Sequence, residues 1–177
     1  YRMNIVHGIK QKEYCAWKKE MFVGNNELRH IEKNGFAQTE AVTFSSTNFL
    51  SKYEMGKKTD IDDAVIDAIG PKALAIWFMD DGSVKTKGRP GEIAYNGANI
   101  WTCSFSSEAN KKLSKMLIDK FGIQNRVQEV NKAHPYRKIV LNAAGYRTLS
   151  KIIAPYVHDS MDYKIHPEDR IQDSYKK

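Results

Sequence analysis

Two adjacent carboxylates, Asp80 and Asp81, follow an apolar run and are the side chains of this sequence best suited to bind a cation. The run from Ala73 to Met79 contains no polar residue, so both of its faces are expected to be packed, with the two acids presented at the end of a buried helix. Carboxylates at a helix C-terminus face the unfavourable end of the helix dipole. A purely structural role is therefore harder to argue than a bound divalent cation, for which carboxylate oxygens are suitable ligands.

The helix that must position these acids is marked at both ends. Pro71 suits a first helical turn and Gly82 suits the exit, so the spacing predicts a helix of about ten residues between them. Further elements are predicted downstream: strands over 83–87 and 99–106, a helix that Ser106 or Ser107 caps and Gly122 ends, strands over about 126–131 and 136–142, and a helix over about 145–157. A half-buried strand over 99–106 would separate an apolar face, Trp101, Cys103 and Phe105, from a polar face, Thr102 and Ser104.

Basic residues outnumber acidic ones in this chain of 177 residues, with 28 Lys and Arg against 21 Asp and Glu and a formal charge of +7. This excess favours a polyanionic partner such as a nucleic acid. With only two cysteines, Cys15 and Cys103, neither a disulfide framework nor a Cys-rich zinc site is expected, and an intracellular setting is favoured. No apolar run is long enough to span a bilayer, and the first residues do not form a signal peptide.

The first 58 residues follow the same order of elements as the second half of the chain. A strand is predicted over 2–7, a helix over 10–22, a hairpin over 27–33 and 38–44 across Asn34-Gly35, and a short helix over 48–55. This order predicts a tandem repeat, with a first repeat over 1–58, a linker over 59–70, a second repeat over 71–167 and a C-terminal tail over 168–177. A first counterpart of the acidic helix is expected to precede Tyr1, rather than to come from a second chain or to have been lost.

The run from Leu74 to Gly82, Leu-Ala-Ile-Trp-Phe-Met-Asp-Asp-Gly, resembles the signature helix of the LAGLIDADG homing endonucleases, in the form found in single-chain, two-repeat, intron-encoded members. Lys58 lies upstream at a spacing similar to that of the family. Met161-Asp162-Tyr163-Lys164 follows the last helix as in the second repeat of the family. The resemblance covers about residues 2–167.

The resemblance implies an α+β fold of tandem αββαββα repeats, whose two antiparallel, saddle-shaped sheets cover double-stranded DNA. Asp81 is then the metal ligand, for Mg²⁺ or another divalent cation such as Mn²⁺ or Ca²⁺, and Asp80 is a supporting acid. Lys58 and Lys164 match the basic residue that the family carries near the cleavage site in each half, with Lys57 as a competitor for Lys58. An ammonium group there can stabilise charge or assist proton transfer. The implied protein is a monomer if it contains its own first signature helix.

The implied activity is that of a site-specific homing endonuclease. Such an enzyme binds a long double-stranded DNA target and hydrolyses phosphodiester bonds on both strands with a divalent metal, which promotes intron or intein mobility. Polar residues on the strands are expected to contact the base edges, because their donors and acceptors distinguish bases in the major groove: Arg2, Asn4, Arg29, Lys33, Gln38, Thr102, Ser104, Arg126, Gln128, Lys138 and Asn142. Basic residues in the connection after the acidic helix are better suited to phosphates: Lys85, Lys87 and Arg89.

Two other functions are compatible with the same scaffold. An intron maturase, which binds RNA and assists splicing, would keep the basic surface and could lose the metal-binding acids. A non-catalytic DNA-binding protein could do the same. Retention of Asp81 and of both predicted lysines favours the endonuclease, and a metal-dependent cleavage assay separates the three.

Overall fold

The computed structural model describes residues 3–23, 29–33, 35–41, 60–88, 94–131 and 134–170. It divides into two compact units, one formed by Tyr1–Met55 with His158–Met161 and the other by Gly56–Val157 with Asp162–Lys177. Each unit contains an antiparallel sheet together with helices, which confirms the predicted mixed α/β fold. None of the described helices is long and apolar enough to cross a membrane.

The first unit is built from a strand, a helix and a hairpin: β1 Met3–Gly8, α1 Lys12–Val23, β2 Arg29–Lys33 and β3 Phe36–Ala41, with a 3₁₀ turn at Ile9–Gln11 before α1. Its strands pair antiparallel in the order β1-β3-β2. Gly35 adopts a positive φ of 77° between β2 and β3, as the hairpin predicted across this position requires. Ile5 of β1 and both Tyr14 and Cys15 of α1 are buried. The helix predicted over 48–55 lies outside the described residues.

The second unit follows the predicted order αββαββα from its second helix onward. It contains α2 Asp63–Ala68, α3 Pro71–Asp81, β4 Gly82–Lys87, β5 Ala94–Trp101, α4 Ser107–Phe121, β6 Asn125–Asn131, β7 His134–Leu141 and α5 Ala143–Ile153. The chain continues through 3₁₀ turns at Ala154–Tyr156, Asp159–Lys164 and Pro167–Asp169. The four strands pair antiparallel in the order β4-β5-β7-β6.

The strand orders of the two units match. Each unit contains a strand, a helix and then a two-stranded hairpin. In both units the first strand pairs with the second strand of the hairpin, which gives the orders β1-β3-β2 and β5-β7-β6. All these pairs are antiparallel. A tandem repeat of one supersecondary unit predicts this correspondence.

Local capping residues set the ends of α4 as predicted. The Ser106 Oγ accepts a hydrogen bond from the Ala109 N–H at 3.1 Å, and Gly122 ends the helix in the left-handed conformation with φ 65°. Leu113 and Leu117 are buried on the inner side of α4, which packs on β6 and β7, while α5 packs on β5. The helices therefore cover part of the sheet and form its core.

Two predicted boundaries are wrong. The strand predicted over 99–106 ends at Trp101, because the Thr102 hydroxyl turns inward and donates a hydrogen bond to Asn110 Oδ1. The chain then turns, with the Phe105 N–H bonded to the Thr102 carbonyl at 3.1 Å. The last helix ends at Ile153 rather than near residue 157, since Pro155 has no N–H to continue the α-helical hydrogen bonds.

The segment predicted as a linker over 59–70 contains the short helix α2. Asp62 caps it, because its Oδ1 accepts a hydrogen bond from the Ala64 N–H at 3.0 Å. Lys112 of α4 forms a 2.9 Å ion pair with Asp63, and Lys120 donates to the carbonyl of Asp67. These contacts dock the segment on α4, although exposed ion pairs of this kind contribute little stability.

Candidate functional site

Helix α3 presents Asp80 and Asp81 at its C-terminal end, and both acids are exposed. Gly82 begins β4 directly afterwards, and its N–H bonds to the Phe78 carbonyl. A Cβ at Gly82 would lie 2.3 Å from both the carbonyl oxygen and a ring carbon of Phe78. Only glycine therefore permits this tight passage from the helix to the strand, which fixes where the acids stand.

The packing of α3 is one-sided, contrary to the expectation that residues 73–79 are buried all round. Its buried residues are Leu74, Ala75, Phe78 and Met79, which recur at helical spacing and face α5 and the turn at Ala154–Tyr156. Ile76 and Trp77 are half-buried, and Ala73 is exposed. The 3.6-residue period places these seven apolar residues on two sides of the helix, and only one of the two sides is fully buried.

Lys164 reaches the same helix end from 85 residues further along the chain. It is only 7% exposed, and its Nζ donates to the backbone carbonyls of Met79 and, at 3.4 Å, of Phe78. These carbonyls lie in the last turn, where the helix dipole favours a cation; the Phe78 carbonyl also accepts the Gly82 N–H. Lys164 therefore caps the helix that carries the acids.

The electrostatics of this lysine have opposing contributions. Burial lowers the pKa of the Lys164 ammonium, and the carboxylates of Asp80 and Asp81 partly oppose that shift. Ile165, the next residue, is buried as well, with 1% of its surface exposed. The acids and the lysine thus form one cluster at the end of α3. The second predicted basic residue, Lys58, and its alternative, Lys57, lie outside the described residues.

The fit of this cluster to a divalent cation can be judged from its donors. The described part of the chain contains no group of three or more His, Cys, Asp or Glu side chains that could hold a metal ion. Mg²⁺, however, commonly takes one or two carboxylates and completes its shell with water and substrate phosphate oxygens. The exposed carboxylates of Asp80 and Asp81 fit such an open site, which would be shared with a bound phosphate, and do not fit a closed protein cage.

A polar, basic surface covers one face of the second sheet, which we call the basic face. Pairing places Ser83 opposite Asn99, Asn99 opposite Val140 and Val140 opposite Arg126, and positions two residues along each strand lie on the same side. The basic face therefore consists of Ser83, Lys85, Gly97, Asn99, Trp101, Lys138, Val140, Arg126 and Gln128. The opposite face carries the buried residues Ala98, Ile100, Ile139 and Leu141.

Three cations of the basic face act on one another. Burial lowers the pKa of Lys85, and the positive charges of Lys138 and Arg126 lower it further. The Lys138 ammonium lies 4.8 Å from the ring centroid of Trp101, whose Nε1–H donates to Ser83 Oγ at 3.1 Å. Like charges held this close favour an anionic ligand, because its charge relieves their repulsion.

A cavity of about 380 Å³ opens beside these cations, where β6 begins at Asn125 and β7 ends at Leu141. Side-chain amides and two basic groups dominate its lining, which comprises Lys85, Asn96, Gln124, Asn125, Arg126, Val140, Leu141 and Asn142. Gly97 has a φ of 132°, and a Cβ there would lie 2.2 Å from the Leu141 carbonyl oxygen. The close approach of β5 and β7 at this cavity therefore requires glycine.

The residues predicted to contact DNA are distributed unevenly. Lys85, Arg126, Gln128 and Lys138 share the basic face, and the exposed Lys87 ends β4. Ser104 is exposed in the turn after β5. Asn142 is exposed too, but its Oδ1 caps α5 by accepting a hydrogen bond from the Gly145 N–H at 2.7 Å.

The prediction for Thr102 is wrong. Thr102 is fully buried and bonded to Asn110, so it cannot reach a base edge. The predicted strand faces were assigned the wrong way round, since Trp101 lies on the basic face and not on the core face. Asn99 and Trp101 were missed for this reason, and only the pairing of β5 with β4 and β7 identifies their side.

Four predicted contacts lie on the first sheet. Asn4 and Arg29 both belong to pairs with Glu40, while Lys33 and Gln38 stand an even number of residues along the same strands. The backbone register therefore assigns the four positions to one face of that sheet. Their side chains, and the whole of Arg2 and Arg89, lie outside the described part of the chain.

Comparisons with known proteins agree with this geometry. The sequence model of the LAGLIDADG DNA endonuclease family matches residues 1–144. The chain is 31% identical over 146 residues to the intron-encoded endonuclease ai4 of Dictyostelium discoideum, a match that covers 78% of this chain and 84% of that protein. It is 30% identical over 181 residues to the protein RecA of Mycolicibacterium flavescens, which covers 97% of this chain. The chain spans only 42% of the length of that RecA protein.

A shorter match joins the chain to a maturase, and solved structures show the fold. The cytochrome b mRNA maturase bI2 of Saccharomyces cerevisiae is 33% identical over 95 residues, or 54% of this chain and 20% of that protein. The homing endonuclease I-WcaI bound to its DNA recognition sequence superposes with a TM-score of 0.70 at 23% identity, covering 93% of this chain and 75% of that one. Because the family model and the ai4 endonuclease both match most of its length, this chain belongs to the LAGLIDADG DNA endonuclease family.

Proposed function

We propose that this chain is a site-specific endonuclease that binds a long DNA duplex and hydrolyses both strands with a divalent metal. The observation that carries the proposal is the direct junction of α3 with β4. Asp81 is the last residue of the helix, and Ser83 and Lys85 of the basic face follow within four residues. A duplex on the basic face would bring its phosphates next to the two carboxylates.

The chain's own residues divide the work between binding and chemistry. Lys85 and Lys87 would neutralise phosphates, while Arg126, Gln128 and Lys138 would offer hydrogen-bonding groups to base edges. Asp81 would hold the cation, with Asp80 beside it and Lys164 keeping the helix end in place. When bound, such an ion stabilises negative charge on a phosphate and lowers the pKa of bound water.

Intron or intein mobility is the biological role that we infer for this cleavage. The support is the similarity to an intron-encoded endonuclease and to longer RecA proteins, of which a chain of this kind would form only a part. A cut at a defined site in a target lacking the intervening sequence is the activity that such a role requires.

A maturase remains the second proposal, because one relative carries that name. Competition separates the two functions. Labelled target duplex should resist displacement by random duplex and by intron RNA if the endonuclease proposal holds. If intron RNA binds tightly and the protein does not discriminate between target and random duplex, the maturase proposal is favoured. If random duplex displaces the labelled target as well as unlabelled target does, sequence-specific DNA recognition is contradicted.

The salt dependence of binding tests the phosphate contacts. Each phosphate neutralised contributes about −0.9 to the slope of log K against log salt concentration, so Lys87→Ala should reduce the magnitude of the slope by about one and weaken binding to all duplexes alike. Lys111→Ala is the matched control, since Lys111 is an exposed lysine of α4 that pairs with Glu108. An unchanged slope for Lys87→Ala would remove Lys87 from the phosphate contacts.

Base recognition predicts a different result for Arg126. Arg126→Ala should relax the preference at one or two base positions, at a cost of about 1–3 kcal/mol, because arginine reads base edges through paired donors. Binding of every single-base variant of the target to both proteins is the measurement. A uniform loss at all positions would assign Arg126 to phosphates instead.

A further inference from the structure

Asn99 lies in the centre of the basic face and has an unusual hydrogen-bonding state. It belongs to β5, where it pairs with Ser83 of β4 on one side and Val140 of β7 on the other. It is only 8% exposed. Its Oδ1 is a buried atom without a hydrogen-bond partner, and no other buried side-chain nitrogen or oxygen in the described part of the chain shares that state.

A second buried asparagine shows what the fold does when it uses an amide. Asn110 is fully buried, and its side chain accepts from the Thr102 hydroxyl and donates to the carbonyls of Phe105 and Ser106 at 3.1 and 2.9 Å. Such bonds repay the cost of removing an amide from water, whereas an unpaired buried oxygen costs stability. The amide oxygen of Asn99 therefore adds no stability to the fold, and an apolar residue of similar size would serve the fold equally well.

The surroundings of Asn99 indicate what could supply the missing donor. The other strands of the sheet carry Lys85, Arg126 and Lys138 on the same face as Asn99, and the charges of these three residues repel one another. The phosphates and base edges of a bound duplex would draw these long side chains away from Asn99 and open its amide to the bases. An amide oxygen at that floor accepts from the exocyclic amino group of adenine (N6) or cytosine (N4), both of which donate in the major groove.

We propose that Asn99 is a specificity-determining residue whose Oδ1 accepts a hydrogen bond from an exocyclic amino group of the target duplex. The inference rests on the proposed function, because it needs the basic face to bind DNA. Its position follows from the register, since Asn99 pairs with Ser83, two residues after Asp81. The recognised base therefore lies near the cleavage site.

The first test compares the stability of two isosteric variants. Asn99→Leu should leave the melting temperature unchanged or raise it, because the lost oxygen was unpaired. Asn110→Leu should lower it by roughly 4–8 °C, because it leaves several partners unsatisfied. A comparable loss in Asn99→Leu would show that the Asn99 amide serves the fold and would overturn the proposal.

The second test identifies the base. A duplex selected by the wild-type protein from a randomised pool is prepared with single adenines replaced by 2-aminopurine, which lacks the 6-amino group, or single cytosines replaced by a pyrimidinone that lacks the 4-amino group. At one position near the cleavage site, the base analogue should weaken binding by the wild-type protein about tenfold and leave binding by Asn99→Leu unchanged. Gln128→Leu, on the same face, should retain the effect at that position.

The outcomes separate the inference from the function on which it rests. Equal losses in wild type and Asn99→Leu at every position would overturn the role of Asn99 and leave the endonuclease proposal intact. A wild-type protein that selects no duplex from the pool would overturn both.

Discussion

Asp81→Asn is expected to abolish metal-dependent cleavage while leaving DNA binding within a few-fold of wild type. Removal of one charge-stabilising group from an active site typically costs about 10²–10³ in rate, and loss of a metal ligand should cost at least as much. Binding should persist because the base and phosphate contacts are made on the basic face. Single-turnover cleavage and duplex affinity, measured on the same preparation, test both halves of this expectation.

Asp80→Asn is the matched control for that experiment. It removes the same charge one residue earlier, at a position assigned a supporting role, so it should slow cleavage less than Asp81→Asn. The change in stability should be small for both variants, because relief from the unfavourable end of the helix dipole offsets the lost attraction to the buried Lys164 ammonium. Cleavage by Asp81→Asn at the wild-type rate would show that Asp81 does not hold the ion. A larger effect at Asp80 would exchange the two roles.

Lys164→Met is expected to have the second largest effect, through the position of the acids. The substitution keeps an unbranched side chain but leaves the carbonyls of Phe78 and Met79 without this donor. Loss of such bonds costs about 1–3 kcal/mol, partly offset because an ammonium no longer has to be buried. Thermal unfolding and the rate of cleavage per folded molecule are the two measurements.

The comparison with an exposed lysine separates position from stability. Lys151→Met, on the exposed side of α5, should leave both quantities unchanged. If Lys164 positions the acids, Lys164→Met should lose about tenfold or more in cleavage at temperatures where it is fully folded. A destabilised variant that cleaves at the full rate when folded would limit Lys164 to the fold.

The local features of this chain could be read from its sequence. Pro71 and Gly82 marked the ends of α3, and Ser106 and Gly122 marked those of α4, because capping depends on a few adjacent residues. The position of Asp80 and Asp81 at the end of a helix followed in the same way. Hydrophobic periodicity and turn residues were sufficient to predict the αββαββα order, since a period near 3.6 indicates a helix and alternation indicates a strand.

Features that depend on a partner distant in sequence could be determined only from the tertiary structure. The pairing register of β5 places Asn99 and Trp101 on the basic face. This strand also begins and ends five residues earlier than predicted, at Ala94 and Trp101. The burial of Thr102 depends on Asn110. The contact of Lys164 with α3 joins residues 85 apart, which no local pattern encodes. Capping is settled within one helical turn, whereas pairing and packing are chosen among all segments of the chain.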